Sequence, residues 1–504
     1  MNFHEIFFGQ SDGDVLLIQP NMLQQTKPEH IDPIQTEYWK SCESVGSLFG
    51  DLPIEPNWGL LSISTSLKQN GYKVAHIDFN LYDYIKVKKT NEFITLTDIR
   101  HVLLRKRYRV IGISCMTVSH NNTLEIARIC KEINPECIVL VGGIHFSFIP
   151  EMALISQYID GVLCGEGEES FVQFMKYCNE QQKWTNVSGL VYRKEGDIVK
   201  NPVKQLGTLE DIGRPDYESW PSDVPLIPRI YMSRGCNGGC DYCVVNQFFC
   251  EAYRKRPLEK VIEEIEYVVS ELGCKDILIG DLNFAASKED ALRLCEHIVN
   301  KQLKIQWWCQ TRADGLDEEL IKAMKAAGCV QIGIGIESVD KEILENSCST
   351  KENRQLSTKE LCQLIRKYDI EVQGYFIIGL PGETFTSAMN TIKWIDELTC
   401  NDYVNITHIA VLVPYPGTPI FLNPEQYKMK IINSDFSKYI MNCDYMNTGV
   451  PIIETEELNN FQIYALWQLA LSTASKNFRK KSKKNVPEMF NALYEFWNEI
   501  TFYE

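Results

Sequence analysis

The chain has 504 residues and 44% of them are hydrophobic, so it can bury large apolar cores and is neither disordered nor fibrous. Its 51 Lys and Arg residues against 67 Asp and Glu residues leave a net charge of −16, which argues against a protein that coats nucleic acid. The N-terminal segment has no basic region, and no apolar run is long enough to span a membrane. We therefore expect a cytoplasmic location, in which most of the 18 cysteines remain reduced thiols.

Apolar runs alternate with amphipathic segments over the first part of the chain, as strands and helices do in turn. Strands are predicted at residues 14–19, 73–79, 109–115, 137–141 and 160–164, helices at 58–70 and 122–133, and a closing hairpin at 189–202. Strands with helices between them indicate an α/β fold with a doubly wound parallel sheet. Such sheets bind their ligands at the carboxyl ends of the strands.

Four prolines between residues 203 and 228 indicate a linker, after which the alternation resumes. Strands are predicted at 229–233, 276–280, 305–309, 330–336, 371–378 and 404–413, with helices near 257–272, 287–301, 317–327, 358–368 and 385–398. These units are too few for a closed (β/α)8 barrel and indicate an open, partial (β/α)6 barrel. The predicted domains are therefore 1–202 and 229–440, joined by the linker 203–228 and followed by a helical cap at 441–504.

Directly after the first barrel strand, Cys236, Cys240 and Cys243 follow one another with C-x3-C-x2-C spacing. Thiolates on one loop are the usual ligands of iron–sulfur clusters, and three of them leave the fourth iron of a 4Fe–4S cluster open. Gly235 and the glycines after it let such a loop bend tightly. The alternatives are a zinc site with Cys250 as the fourth ligand, although no second CxxC pair follows, and chance clustering. The spacing favours the cluster.

This cysteine spacing after the first strand of a six-unit β/α domain resembles the radical S-adenosylmethionine superfamily. Further motifs similar to those of that family follow in order: GDLNF (280–284), WWCQTRAD (307–314), GIGIES (333–338), GYFIIGLPGET (374–384) and VPYPGTP (413–419). Each is weak alone, but the order and spacing make the resemblance strong. It implies a 4Fe–4S cluster on the three cysteines, with S-adenosylmethionine at the open iron. By motif position, the residues around S-adenosylmethionine are Tyr242, Asp281, Gln310, Arg312, Glu337 and Ser338.

The sheet that precedes the barrel extends the resemblance. A flavodoxin-like sheet directly before such a barrel is similar to the cobalamin-binding branch of the superfamily, and VGGIH (141–145) and GEGEE (165–169) match motifs of that branch. Small residues at the strand ends leave room for the nucleotide tail of a corrinoid. By this resemblance the cobalamin residues are Ser114, Thr117, Gly142, Gly143, His145 and Glu168. For His145 alone, a histidine satisfied by hydrogen bonds is commoner than a metal ligand.

One position departs from the corrinoid pattern. Cobalamin-dependent mutases carry D-x-H-x-x-G after the first strand, with the histidine on cobalt, whereas this chain reads QPNMLQQT (19–26). Two explanations stay open. Either cobalamin is held without a protein imidazole below the cobalt, as is usual in this radical branch, or the domain has lost its cofactor.

The resemblance implies an enzyme that uses both cofactors. Cleavage of S-adenosylmethionine would give a 5′-deoxyadenosyl radical that removes hydrogen from an unactivated carbon of a small biosynthetic intermediate, and methylcobalamin would methylate that carbon. The alternatives are cyclisation, ring contraction or oxidation in the same family, and a corrinoid- or cluster-binding sensor without turnover.

The expected partners are a small-molecule or peptide substrate and an electron donor such as flavodoxin or ferredoxin. Nucleic acid is not expected, although the chain has one strongly basic run at Lys476–Asn485. That run has the place and composition of a solvated helix end, where cations favour the helix dipole. It also lacks the interleaved aromatic side chains on which bases stack.

Overall fold

The computed structural model describes residues 12–21, 56–90, 92–104, 107–221, 226–250, 253–347, 357–439 and 451–482. The QPNMLQQT segment beyond Asn21, residues 222–225 of the proposed linker and the basic run beyond Ser482 lie outside the described residues. Among the helices described, none combines the length and the apolar character that crossing a bilayer requires.

The first sheet confirms the doubly wound α/β prediction. Its strands are β1 (Asp12–Gln19), β2 (Val74–Asp78), β3 (Arg107–Ser114), β4 (Ile138–Gly142), β5 (Gly161–Leu163), β6 (Leu190–Lys194) and β7 (Asp197–Lys200). They lie in the order β2-β1-β3-β4-β5-β6-β7, parallel as far as β5 and antiparallel in the closing hairpin. The order reverses between β1 and β3, where a doubly wound sheet opens a crevice.

Both faces of this sheet are covered, which explains why its central strands read as continuous apolar runs. Along β1, Val15 and Leu17 enter the core on one face, whereas Leu16 and Ile18 enter the core on the other. The helices of this unit are α1 (Trp58–Gln69), α2 (Phe79–Thr90), α3 (Leu96–Leu103), α4 (His120–Ile133), α5 (Ile144–Phe148), α6 (Pro150–Leu154) and α7 (Gly167–Tyr177).

The second sheet confirms the open barrel. The strands of this part are β8 (Arg229–Ile230), β9 (Ser233–Arg234), β10 (Arg254–Lys255), β11 (Asp276–Ile279), β12 (Gln306–Thr311), β13 (Cys329–Glu337), β14 (Glu371–Ile378) and β15 (Ile406–Val411). Six of them form a parallel sheet in the order β15-β14-β13-β12-β11-β8. The other two, β9 and β10, pair as a short antiparallel ribbon at the base of the cysteine loop.

Helices follow the barrel strands in the α/β manner, with the amphipathic α9 separating the cysteine loop from β11. They are α8 (Val245–Phe248), α9 (Leu258–Ser270), α10 (Lys288–Asn300), α11 (Glu318–Ala326), α12 (Lys341–Ser347), α13 (Thr358–Lys367) and α14 (Phe385–Cys400).

The C-terminal part packs against the last barrel strand. It contains α15 (Pro419–Leu422), an antiparallel ribbon of β16 (Met429–Ile431) and β17 (Ile453–Thr455), and the long helix α16 (Asn460–Ser482). Trp467 on α16 is fully buried, and its indole N–H donates to the carbonyl oxygen of Ile409 at 2.8 Å. The helix was expected from the sequence, whereas the ribbon was not.

Candidate functional site

A cavity of about 390 Å³ lies where the carboxyl ends of the two sheets meet. Residues from the ends of β3, β4 and β5 line one side, and residues from β8, β11 and β12 line the other. Among the lining residues are Ser114, Gly142, Gly143, Gly165, Arg229, Gly280 and Gln310. Both sheets therefore turn their ligand-binding edges toward one shared space, as the rule for parallel sheets predicts.

The predicted cysteine ligands lie on the loop between β9 and β10. Gly235 opens this loop with a φ of +86°, which a residue with a side chain rarely adopts. The backbone N–H of Gly238 faces the Sγ of Cys236 at 3.4 Å. A Cβ atom at Gly238 would lie 2.8 Å from the Arg312 guanidinium, so the barrel packs closely over this turn. Gly235 thus provides the tight bend that the sequence suggested, whereas the close approach of Arg312 to Gly238 was not predicted.

The three thiols lie near enough to one another to interact electrostatically. Burial raises the pKa of Cys236 and raises that of Cys243 to about 12, and the neighbouring thiols add to both shifts. Three coupled thiols on one loop suit an iron–sulfur cluster, whose charge would stabilise the thiolates that burial disfavours. In the described residues, no group of three or more His, Cys, Asp or Glu side chains is spaced to hold a metal ion as it stands. The cluster ligands therefore remain a prediction.

Three of the residues predicted to surround S-adenosylmethionine lie near the cavity or the cysteines. Gln310 lines the cavity. Arg312 forms an ion pair with Asp314 at 2.6 Å and interacts electrostatically with two of the cysteines. Glu337 ends β13 with a φ of +63°, at a register shift between β13 and β14. Backbone strain of this kind is typical of functional positions.

The other three residues make hydrogen bonds or packing contacts with other parts of the chain. Asp281 is buried, accepts the backbone N–H of Met232 at 2.7 Å and accepts the hydroxyl of Ser233. Burial raises its pKa to about 6. Ser338 is buried and shares a hydrogen bond with Thr391 at 3.1 Å. Tyr242 packs against the barrel core.

Four of the six predicted cobalamin residues line the cavity: Ser114, Gly142, Gly143 and Glu168. A Cβ atom at Gly143, whose φ is +87°, would lie 2.7 Å from the carbonyl oxygen of Cys115, so this strand end must be glycine. Asn57, the N-cap of α1, was not predicted as a site residue, but it lines the cavity and donates to Ser114 at 3.3 Å. Asn57 and Ser114 are 57 residues apart in the sequence, so no local pattern predicts that they meet.

Thr117 and His145 do not line the cavity. The Nδ1 of His145 lies 3.2 Å from the hydroxyl of Thr117, and its Nε2 lies 2.8 Å from His120. Burial, with a smaller contribution from His120, lowers the pKa of His145 to about 3. The ring of Phe436, from the C-terminal part, packs on both histidines. His145 is therefore a buried, hydrogen-bonded histidine that supports the contact between two parts of the chain.

Glu168 is held by an arginine of the barrel. Its Oε1 lies 2.5 Å from Arg234, and Ser62 donates to the same oxygen at 2.7 Å. Burial opposes ionisation of Glu168, but Arg234 outweighs it and the pKa is lowered. Glu166 of the same motif pairs with both Arg234 and Arg254 at 2.8 Å. Sequence reasoning missed both arginines. The only signal was the position of Arg234, two residues before the first predicted cluster ligand.

A second contact between the two sheets is apolar. Phe148 at the end of α5 lies against Gly417 of the VPYPGTP motif, where a Cβ atom would overlap its ring. The same ring meets Phe248 of the cysteine loop at a centroid distance of 6.5 Å. The glycine of this motif is therefore required by domain packing as well as by its φ of +91°.

Two family models match this sequence. The model of the radical SAM superfamily matches residues 230–395, and the model of the B12 binding domain matches residues 53–175. The first match covers β11 to β14 of the second sheet, and the second match covers β2 to β5 of the first sheet, so each family model covers residues on one side of the shared cavity.

Two curated relatives align with this chain over most of their length. The uncharacterized methyltransferase PH0819 of Pyrococcus horikoshii is 30% identical over 338 residues, which is 66% of this chain and 72% of the relative. The anaerobic magnesium-protoporphyrin IX monomethyl ester cyclase of Cereibacter sphaeroides is 27% identical over 425 residues, which is 81% of this chain and 65% of the relative. The two names describe different reactions.

The fold also matches a solved structure. The radical S-adenosylmethionine methyltransferase TsrM from Kitasatospora setae, solved with cobalamin and a 4Fe–4S cluster bound, superposes with a TM-score of 0.66 at 16% identity. The match covers 93% of this chain and 89% of that chain. At this identity the likeness extends to the fold and the arrangement of its parts.

Proposed function

This chain belongs to the radical SAM superfamily and carries a B12-binding domain, and from that membership we propose that it is a cobalamin-dependent methyltransferase. The observation that carries the proposal is the shared cavity, which both the strand ends of the B12-binding domain and those of the barrel line. A reaction that uses two bound cofactors in turn requires them to face the same space.

The chain offers a separate set of residues to each group. Cys236, Cys240 and Cys243 would hold the 4Fe–4S cluster, Gln310 and Arg312 would lie beside S-adenosylmethionine, and the strand ends at Ser114, Gly142 and Gly143 would receive cobalamin. When bound, these groups supply radical cleavage of S-adenosylmethionine and carriage of a methyl group on cobalt.

The protein itself orients the groups and excludes water. Apolar side chains from both sides line much of the cavity, among them Leu60, Leu140 and Phe171 from one and Phe248 and Leu282 from the other. A dry cavity protects a radical from side reactions and strengthens every electrostatic contact within it. We further propose a small-molecule or peptide substrate and an electron donor of the flavodoxin or ferredoxin type.

A second candidate is radical cyclisation, which the similarity to the cyclase of Cereibacter sphaeroides favours. The two reactions differ in the fate of the S-methyl group. Cyclisation consumes S-adenosylmethionine only by cleavage to methionine and 5′-deoxyadenosine, whereas methylation also leaves S-adenosylhomocysteine.

The products of S-adenosylmethionine therefore test the proposal without a known substrate. The protein is reconstituted anaerobically with iron, sulfide and hydroxocobalamin, and is then reduced chemically with deuteromethyl S-adenosylmethionine present. We expect both 5′-deoxyadenosine and S-adenosylhomocysteine, and the second should require cobalamin. Formation of 5′-deoxyadenosine alone would contradict methyl transfer and favour cyclisation. Formation of neither product would contradict the family activity.

A further inference from the structure

The stem that leads into the cysteine loop is held from the barrel side by one carboxylate. Asp281, at the end of β11, accepts the backbone N–H of Met232 and the hydroxyl of Ser233. Both donors lie within four residues of Cys236. This contact ties β9 to the barrel sheet.

The other side of the same stem is held by the B12-binding domain. The guanidinium of Arg234 reaches Glu166 through Nη1 at 2.8 Å and Glu168 through Nη2 at 2.5 Å. The side chains of Glu166 and Glu168 are only 4% and 7% exposed. A guanidinium that binds two buried carboxylates with separate nitrogens has little freedom to rotate, because its fork is planar and rigid.

A second arginine strengthens the contact. Arg254 stands directly opposite Arg234 in the ribbon of β9 and β10, and like charges in that position repel. Glu166 lies between them and accepts from both, with its Oε2 2.8 Å from Arg254. Glu168 is oriented by Ser62 on α1. The carboxylates of the other domain therefore offset the repulsion between the two arginines at the base of the loop.

We propose that Arg234 is a positioning residue, through which Glu166 and Glu168 of the B12-binding domain hold the cysteine loop at a set place relative to the shared cavity. On this assignment Glu168 acts on the cluster side of the reaction rather than as a contact to cobalamin. The proposal rests on the proposed function only in taking the loop as the cluster site. Placement of reacting centres matters because a shift of about 1 Å can cost about 100-fold in rate.

The first test needs no cofactor. Amide hydrogen exchange is measured on the full cofactor-free chain for the wild type, Arg234→Gln, and the double variant Glu166→Gln/Glu168→Gln. We expect exchange in residues 235–243 to rise about tenfold in both variants, the effect of losing a hydrogen bond between charged groups. The matched control is Arg128→Gln, which removes an ion pair with Glu125 on the surface of α4 and should leave the loop unchanged.

Two outcomes of this test would overturn the proposal. One is unchanged exchange in the loop of the double variant. The other is faster exchange throughout β12 to β14, because that would show a general structural role. Arg234→Lys gives a milder version of the test, since it keeps the charge but cannot reach both carboxylates with a rigid fork. It should give an intermediate exchange rate.

The second test uses the reconstituted protein and a signature that general stability does not alter. The double variant lies in the other domain from the cysteines, so its iron content should match the wild type. The EPR spectrum of its reduced cluster should nevertheless differ from the wild type, with Arg128→Gln as the control. An identical spectrum would overturn the proposal. Absence of a cluster in the wild type would instead overturn the proposed function, while the exchange result would still decide the positioning role.

Discussion

Cys236, Cys240 and Cys243 can be separated experimentally from the neighbouring Cys250. Changing the three to Ala together should abolish iron binding, because the prediction assigns the cluster no thiol ligands besides these three. Iron and zinc are measured by metal analysis after anaerobic reconstitution. The control is Cys250→Ala, whose thiol is exposed and which should keep its iron. Zinc in the wild type, lost in Cys250→Ala, would favour the four-ligand zinc alternative.

Glu383 of the GYFIIGLPGET motif is fully buried, and burial raises its pKa to about 8. The native state therefore keeps a proton that the unfolded chain releases, so this group stabilises the fold at low pH and loses that effect as pH rises toward 8. Glu383→Gln removes the dependence. The stability of the variant relative to the wild type should increase from pH 5.5 to 7.5, by at most about 1.4 kcal/mol per pH unit.

Urea denaturation at the two pH values measures this difference. The control is Glu360→Gln, because the pKa of Glu360 is lowered by its hydrogen bonds to Ser357 and the group is ionised at both pH values. Its difference from the wild type should stay constant. A constant difference for Glu383→Gln as well would show that Glu383 is ionised in the native state.

The sequence predicted which residues belong to the site better than it predicted the hydrogen-bond partners of those residues. The cysteine spacing and the strand-end residue Gln310 could be read directly, because loop spacing and strand ends are local features. Asp281 and Ser338 were predicted near S-adenosylmethionine, yet their oxygen atoms bond Ser233 and Thr391. Those partners are 48 and 53 residues away, and no local pattern indicates them.

Elements were predictable where burial gives a long, regular pattern. The central strands of both sheets are covered on both faces and appear as apolar runs. The helix α2 was missed because its sequence, FNLYDYIKVKKT, carries little helical periodicity. The helix α3 was missed although its sequence is amphipathic and begins with a capping box at Thr95. The ribbon of β9 and β10 was missed because two residues per strand are too few for any period. The sequence therefore did not predict the ribbon that lies at the base of the cysteine loop.

The packing of α5 against the VPYPGTP motif predicts that the fold is sensitive to a substitution at Gly417. Gly417→Ala should destabilise the fold by about 1–2 kcal/mol for its left-handed backbone, and by a further 1–3 kcal/mol or so for the clash with Phe148. The control is Gly196→Ala, which has a similar φ of +95° but nothing within 4 Å of the added Cβ. Urea denaturation should give the larger loss for Gly417→Ala. Equal losses would show that Phe148 moves aside freely.

The site depends on how the two sheets are placed relative to each other. The contacts that join them include the Arg234 ion pairs, the packing of Phe148, and the packing of Phe436 on His120 and His145. Each sheet could be predicted alone, and for each sheet we expected ligand binding at the carboxyl ends of the strands. The shared cavity could not be predicted, because the contacts that create it link residues at least 66 positions apart.

The cavity also predicts how cobalamin should be bound. In the described part of the B12-binding domain the histidines are His76, His101, His120 and His145, and none of them lines the cavity. Protein reconstituted with hydroxocobalamin should therefore retain it and show a base-off absorption spectrum, without nitrogen ligation by an imidazole. His4 and His30 lie outside the described residues, so His4→Ala and His30→Ala are the informative variants. Their spectra should match the wild type. A nitrogen-ligated spectrum that one of these variants abolishes would contradict the prediction and identify that histidine as the axial ligand.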